Sequence, residues 1–92
     1  MDFVRGSVVR AKAGRDKEGF FVVLESKERY VLICDGSRRS LQHPKKKNIL
    51  HLALTKSVLD EDSMKTDRAI RKALRSFAPV GAEDSVPLEE GS

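Results

Sequence analysis

From Ser7 to Ala13 apolar and basic positions alternate, with Val9, Ala11 and Ala13 on one side of a period-two pattern and Arg10 and Lys12 on the other. That alternation predicts a half-buried strand with one apolar and one basic face. Two more runs, "FFVVL" (Phe20 to Leu24) and "YVLIC" (Tyr30 to Cys34), are rich in aromatic and β-branched residues and are joined by the polar link "ESKER", which predicts a hairpin. Asp35 and Gly36 supply the next turn, because glycine accepts positive φ at no steric cost. A weaker strand is expected at Arg39 to Gln42. Another is expected from Asn48 to Leu54, where Ile49, Leu50, Leu52 and Leu54 form an apolar series. Five short strands with tight turns in about 50 residues favour a small barrel over a flat sheet, since closure removes exposed edges.

After Leu54 the period changes. In "TDRAIRKALRSF" the residues Ile70, Leu74 and Phe77 recur at i, i+4 and i+7, and Ala69 and Ala73 widen the stripe, which predicts an amphipathic helix. Thr66 suits its N-cap, Asp67 suits the positive helix start, and Pro79 prevents continuation. Both faces of "FFVVL" are apolar, so one should line the barrel while the other lies under this helix. The intervening "KSVLDEDSMK" fits either a loop or a short helical turn around Val58, Leu59 and Met64. Ala78 to Ser92 holds two of the three prolines, two glycines and four acids with few large apolar groups, the composition of a disordered acidic tail. The expected organisation is mainly β: a five-stranded barrel over residues 1–56, a linker and C-terminal helix packed on it over 57–77, and the tail over 78–92.

Charge sharpens this picture. The chain of 92 residues carries 18 Lys and Arg against 14 Asp and Glu, a net charge of +4. Every base precedes Ser76, while the segment after Phe77 contains only the acids Glu83, Asp84, Glu89 and Glu90. Residues 1–77 therefore hold 18 bases against 10 acids, or +8. That balance points to a polyanionic partner. Arg38, Arg39, Lys45, Lys46, Lys47 and Lys56 fall between Gly36 and Ser57 with no acid among them, and "HPKKKN" (His43 to Asn48) is expected to be a solvated loop lying along a nucleic-acid backbone.

Read as one unit, "GSVVRAKAGRDKEGFFVVLE" resembles the KOW motif, a strand-loop-strand element of ribosomal and transcription-elongation proteins. The ordered segments "AGRD", "YVLICDG" with a following "RR", and "KKKNILHL" look like the archaeal and eukaryotic-type ribosomal large-subunit protein fourteen and its small bacterial KOW-domain relatives, over about residues 5–55. One departure is Glu18, which stands where relatives often carry a glycine directly after the loop lysine; Gly19 follows it. The resemblance implies an SH3-like barrel, RNA as partner, ribosomal RNA in particular, and association with the ribosome and its proteins. In the opening loop Gly14 should make the bend with positive φ and Asp16 should cap turn amides, leaving Arg15 and Lys17 outward near Arg10 and Lys12. The expected RNA-binding set is thus Arg10, Lys12, Arg15, Lys17, Arg38, Arg39, Lys45, Lys46, Lys47 and Asn48. Arg68, Arg71, Lys72 and Arg75 read as a solvated helix face, with an RNA-facing role as the alternative.

Other chemistry has little support. Cys34, His43 and His51 match no common zinc spacing, no nucleophile-base pair can be named, and no phosphate-cradling GxxxxGK loop is present, so the chain reads as a non-enzyme without cofactor, metal or small-molecule substrate. A lone cysteine makes no internal disulfide. The absence of a basic N-terminal segment followed by an apolar run, and of any apolar stretch of roughly 20 residues, predicts a cytoplasmic protein without membrane contact. The competing class is a protein-interaction KOW module. An RNA binder should gather its cations on one surface, whereas a protein-docking barrel should expose an apolar groove.

Overall fold

The computed structural model describes residues 3–12 and 19–77. Five strands, β1 (Ser7–Ala11), β2 (Phe20–Ser26), β3 (Tyr30–Cys34), β4 (Lys45–Asn48) and β5 (Leu52–Val58), form one antiparallel sheet in the order β4-β3-β2-β1-β5. A 3-10 turn at Ile49–His51 joins β4 to β5, a second one spans Asp62–Met64, and the helix α1 runs Asp67–Arg75. None of the described helices is long and apolar enough to cross a membrane.

The order of the strands dictates the shape. β4 and β5 lie at opposite edges, four strand spacings apart, which in a flat sheet is about 19 Å. The four backbone steps from Asn48 to Leu52 span at most about 14 Å, and a 3-10 turn shortens that reach. The sheet must therefore curl. Register shifts between Ser7 and Val9 in β1 and between Val23 and Glu25 in β2 provide the local bends. Among the described residues no ladder joins β4 to β5, so the five strands form an open, curled antiparallel sheet with one helix against it.

Curling gives the sheet an inside and an outside, and the two-sided apolarity of β1, β2 and β3 fills both. Val9, Ala11, Phe21, Val23, Val31, Ile33 and Leu52 pack inside, with Phe3, Ile49 and Leu54 against them. Val8, Val22 and Cys34 face out and are covered by Met64, Ile70 and Leu74, with Phe20 and Phe77 at the margin. The helix thus occupies the position that the sequence pattern assigns to it. Thr66 Oγ1 accepts from the Ala69 amide at 3.0 Å and caps α1. Burial pushes the Cys34 thiol up to about 11, so it stays protonated and acts as a small apolar group.

The anticipated strand at Arg39 to Gln42 does not form. Instead the Asp35 carboxylate accepts from the amides of Ser37 (2.9 Å) and Arg39 (3.0 Å), and the amides of Asp35 and Gly36 both donate to the Arg39 carbonyl. This local capping closes a tight turn that competes with strand pairing. Gly36 adopts φ +78° there, and a Cβ at this position would stand 2.2 Å from the Asp67 carbonyl oxygen. Gly36→Ala should lower the unfolding free energy by about 2–4 kcal/mol, combining the left-handed backbone penalty with displacement of α1. Urea unfolding measures it, and an unchanged midpoint would show that the turn and helix are not rigidly docked.

Candidate nucleic-acid interface

The lysine run is a strand, not a loop. Lys45 and Lys47 pair with Ile33 and Val31, whose side chains belong to the inner core, so both lysines sit on the inner side of the sheet. Lys47 is only 9% exposed. Lys46 lies on the outer side, its Nζ 4.4 Å from the centre of the Tyr30 ring. The Asn48 side chain accepts from the Leu50 amide at 2.8 Å and caps the following 3-10 turn, which commits it to structure. The expectation of a solvated loop is therefore corrected to a paired strand. Long aliphatic stems let lysine cover apolar surface while the ammonium group reaches outward, so "KKKN" serves as a strand without any apolar residue.

The arginine pair has a different setting. The turn that carries Arg38 and Arg39 docks on the start of α1: Arg71 Nη1 donates to the Gly36 carbonyl, and the Leu41 amide donates to Asp67 Oδ1 at 2.8 Å. Arg38 is exposed and Arg39 half-buried beside the helix. Along the helix Arg68, Arg71, Lys72 and Arg75 are all exposed, and at about 100° per residue they fill one sector opposite Ile70 and Leu74. At the far end the Phe77 ring lies 6.1 Å from that of Phe20, and Phe20 pairs across the sheet with Arg10. The outer layer thus carries a row of cations from the Arg38–Arg39 turn, over the helix face, to Arg10. The helical spacing of these arginines was visible in the sequence, but only the docked turn and the Phe77 contact join them to Arg38, Arg39 and Arg10.

At Arg38, Arg68 and Arg75 the described acids neutralise little of this charge, because they serve local geometry. Glu61 holds Arg5 through two contacts, at 2.9 and 3.0 Å, and Arg5 also donates to the Leu24 carbonyl. That pairing holds the Glu61 carboxyl below its ordinary range, and the Ser63 amide does the same for Asp60. Glu25 pairs with Lys27 at 2.6 Å and Asp62 with Lys65 at 3.0 Å, while Asp35 and Asp67 cap amides as described. Arg38, Arg68 and Arg75 have no ion pair among the described residues.

Lys12 stands apart from the helix layer. Its amide donates to the His51 carbonyl at 2.8 Å, and it lines an apolar groove formed by Phe3, Ile49, Leu50, Leu52 and Leu54. Leu50 is 75% exposed and separates this groove from a second hollow that contains Arg29 and Asn48. The expected cations therefore do not share one surface: Arg10, Arg38 and Arg39 join the helix row, Lys45 to Lys47 lie in β4, and Lys12 borders the groove. Gly14, Arg15, Asp16 and Lys17 lie outside the described residues. Among the described residues no three His, Cys, Asp or Glu side chains come together as a metal site would require.

No protein-family model matches this chain, and no curated protein matches it significantly.

The two kinds of lysine in β4 are separable by stability. Lys47→Glu should cost about 1–3 kcal/mol, because it places a shorter, acidic side chain against Val31 on the inner face. Lys46→Glu should cost under about 1 kcal/mol, the scale of one exposed cation–π contact. Thermal or urea unfolding of both variants measures this, and equal small losses would mean that Lys47 is not part of the core.

Proposed function

We propose that this chain is an RNA-binding protein of the KOW type, built on an SH3-like barrel and associated with the ribosome in the cytoplasm, that grips structured RNA through the cationic row on its outer layer. The observation that carries this reading is the row itself: exposed guanidinium groups from the turn and from one helix face, with no ion pair to Arg38, Arg68 or Arg75 among the described residues. Guanidinium groups hold phosphates through paired hydrogen bonds, and contacts of this kind fix position while carrying little sequence information. Phe20, Phe21 and Tyr30 are packed or half-buried rather than displayed as stacking platforms, which favours recognition of backbone and shape over single-stranded bases. The curl that the short 3-10 link imposes on the five-stranded sheet is compatible with the small barrel that the KOW segments imply. No catalytic role is proposed.

The apolar groove beside Lys12 favours the second reading, a KOW module that docks a protein. The two readings place the working surface on different sides of β1. Replacing Arg38, Arg68 and Arg75 together by Ala should leave unfolding nearly unchanged, since all three are exposed. Each phosphate contact contributes roughly −0.7 to −0.9 to the slope of log affinity against log salt, so loss of two contacts should flatten that slope by about 1.5. Titration of wild type and variant against ribosomal RNA fragments at several salt concentrations tests this. Identical affinities and slopes would remove the row from the site and leave the groove as the working surface.

A further inference from the structure

We infer that the apolar groove beside Lys12 is an intramolecular docking site for the acidic C-terminal segment around "DSVPLEE", Asp84 to Glu90. The match is one of chemistry on both sides. The groove offers Phe3, Ile49, Leu50 and Leu52 as its apolar lining, with Lys12 in one hollow and Arg29 in the adjoining one beyond Leu50. The segment offers Val86, Pro87 and Leu88 as an apolar centre, with Asp84 before it and Glu89 and Glu90 after it. Apolar groups can thus meet apolar groups while carboxylates reach a cation at each side. A leucine that is 75% exposed on the 3-10 turn between two strands, at the border of both hollows, is the kind of surface a protein covers.

Reach permits the contact. Phe77, the last described residue, is fixed against Phe20, which pairs with Arg10, which in turn pairs with Ala53 in the wall of the groove. One ring contact of 6.1 Å and two strand spacings of about 4.8 Å make roughly 16 Å. The nine backbone steps from Phe77 to Val86 extend to about 30 Å. A tether of that length holds its end at an effective concentration near the millimolar range, so a weak contact is enough to fill the groove in part. The contact requires no nucleic acid, and its test is separate from the RNA titration.

The test compares amide NMR spectra of the full chain with those of a full-length Val86→Asp, Leu88→Asp variant. Shift differences should concentrate on Phe3, Lys12 and Ile49 to Leu54 and should not depend on protein concentration. A peptide of residues 80–92 added to the variant should restore the wild-type positions with a Kd on the order of 0.1–1 mM, and should fail to do so once Leu50→Asp is also present. Three results would each overturn the inference: no differences at the groove, differences confined to Arg68 to Arg75, which would place the segment on the helix, or shifts that grow with concentration, which would assign the groove to a second copy.

Discussion

The short link between β4 and β5 is the constraint on which the rest of the structure depends. Only Ile49, Leu50 and His51 separate two strands that stand at opposite edges of a five-stranded sheet, so the sheet cannot be flat. Once it curls, the alternating residues of β1, β2 and β3 divide between an enclosed side and an outer side. Because both sets are apolar, the outer set must also be covered. A buried Val or Ile stabilises by about 1.5–3 kcal/mol, so leaving Val8, Val22 and Cys34 uncovered would forfeit a large share of a small domain's stability. α1 covers them, and its position follows from that need. The helix is then locked at its start by Gly36 and Leu41 and at its end by Phe77 on Phe20.

What the sequence revealed follows from which signals are local. The runs "FFVVL" and "YVLIC" declare their pairing by composition, and Thr66 declares the helix start by its hydroxyl, so these elements were legible. β4 was not, because "KKKN" carries no apolar alternation; its strand character comes from pairing with Val31 and Ile33, a tertiary fact. The Arg39 to Gln42 strand was misread for the converse reason. Its residues tolerate an extended backbone, but the Asp35 carboxylate captures two amides across the turn and outcompetes it. Site residues divide along the same line. Arg10, Arg38 and Arg39 were recognisable as basic positions. The helix arginines were visible too as one face of the helix, but nothing in the linear order joins them to the turn.

The acids explain why the cationic row persists on a protein that also carries many carboxylates. Asp35, Asp60 and Asp67 each accept backbone amides, and Glu25, Glu61 and Asp62 are taken by Lys27, Arg5 and Lys65. Each short side chain satisfies a turn or a helix start nearby, where a carboxylate is worth more than on an open surface. Net charge alone conceals this. A chain of +4 with its acids spread evenly would present a weak average field, whereas here six of the seven described carboxylates are engaged by backbone amides or by bases outside the row.

β1 connects the two candidate surfaces. Arg10 ends the cationic row and Lys12 borders the groove, two residues and so about 7 Å apart along an extended backbone. That separation is within the Debye length of about 8 Å at physiological ionic strength, so the two cations share one local field. An acidic segment seated beside Lys12 would lower the potential that a phosphate meets at Arg10, and a phosphate at Arg10 would weaken the hold of the segment by the same free energy, because linkage between sites is reciprocal. The sign of this coupling is fixed by charge alone. Its size is limited by solvent, since Lys12 is exposed and Arg10 only half-buried. High salt would erase it while leaving the apolar part of the groove contact in place, so binding at the groove and binding at the row would become independent as ionic strength rises.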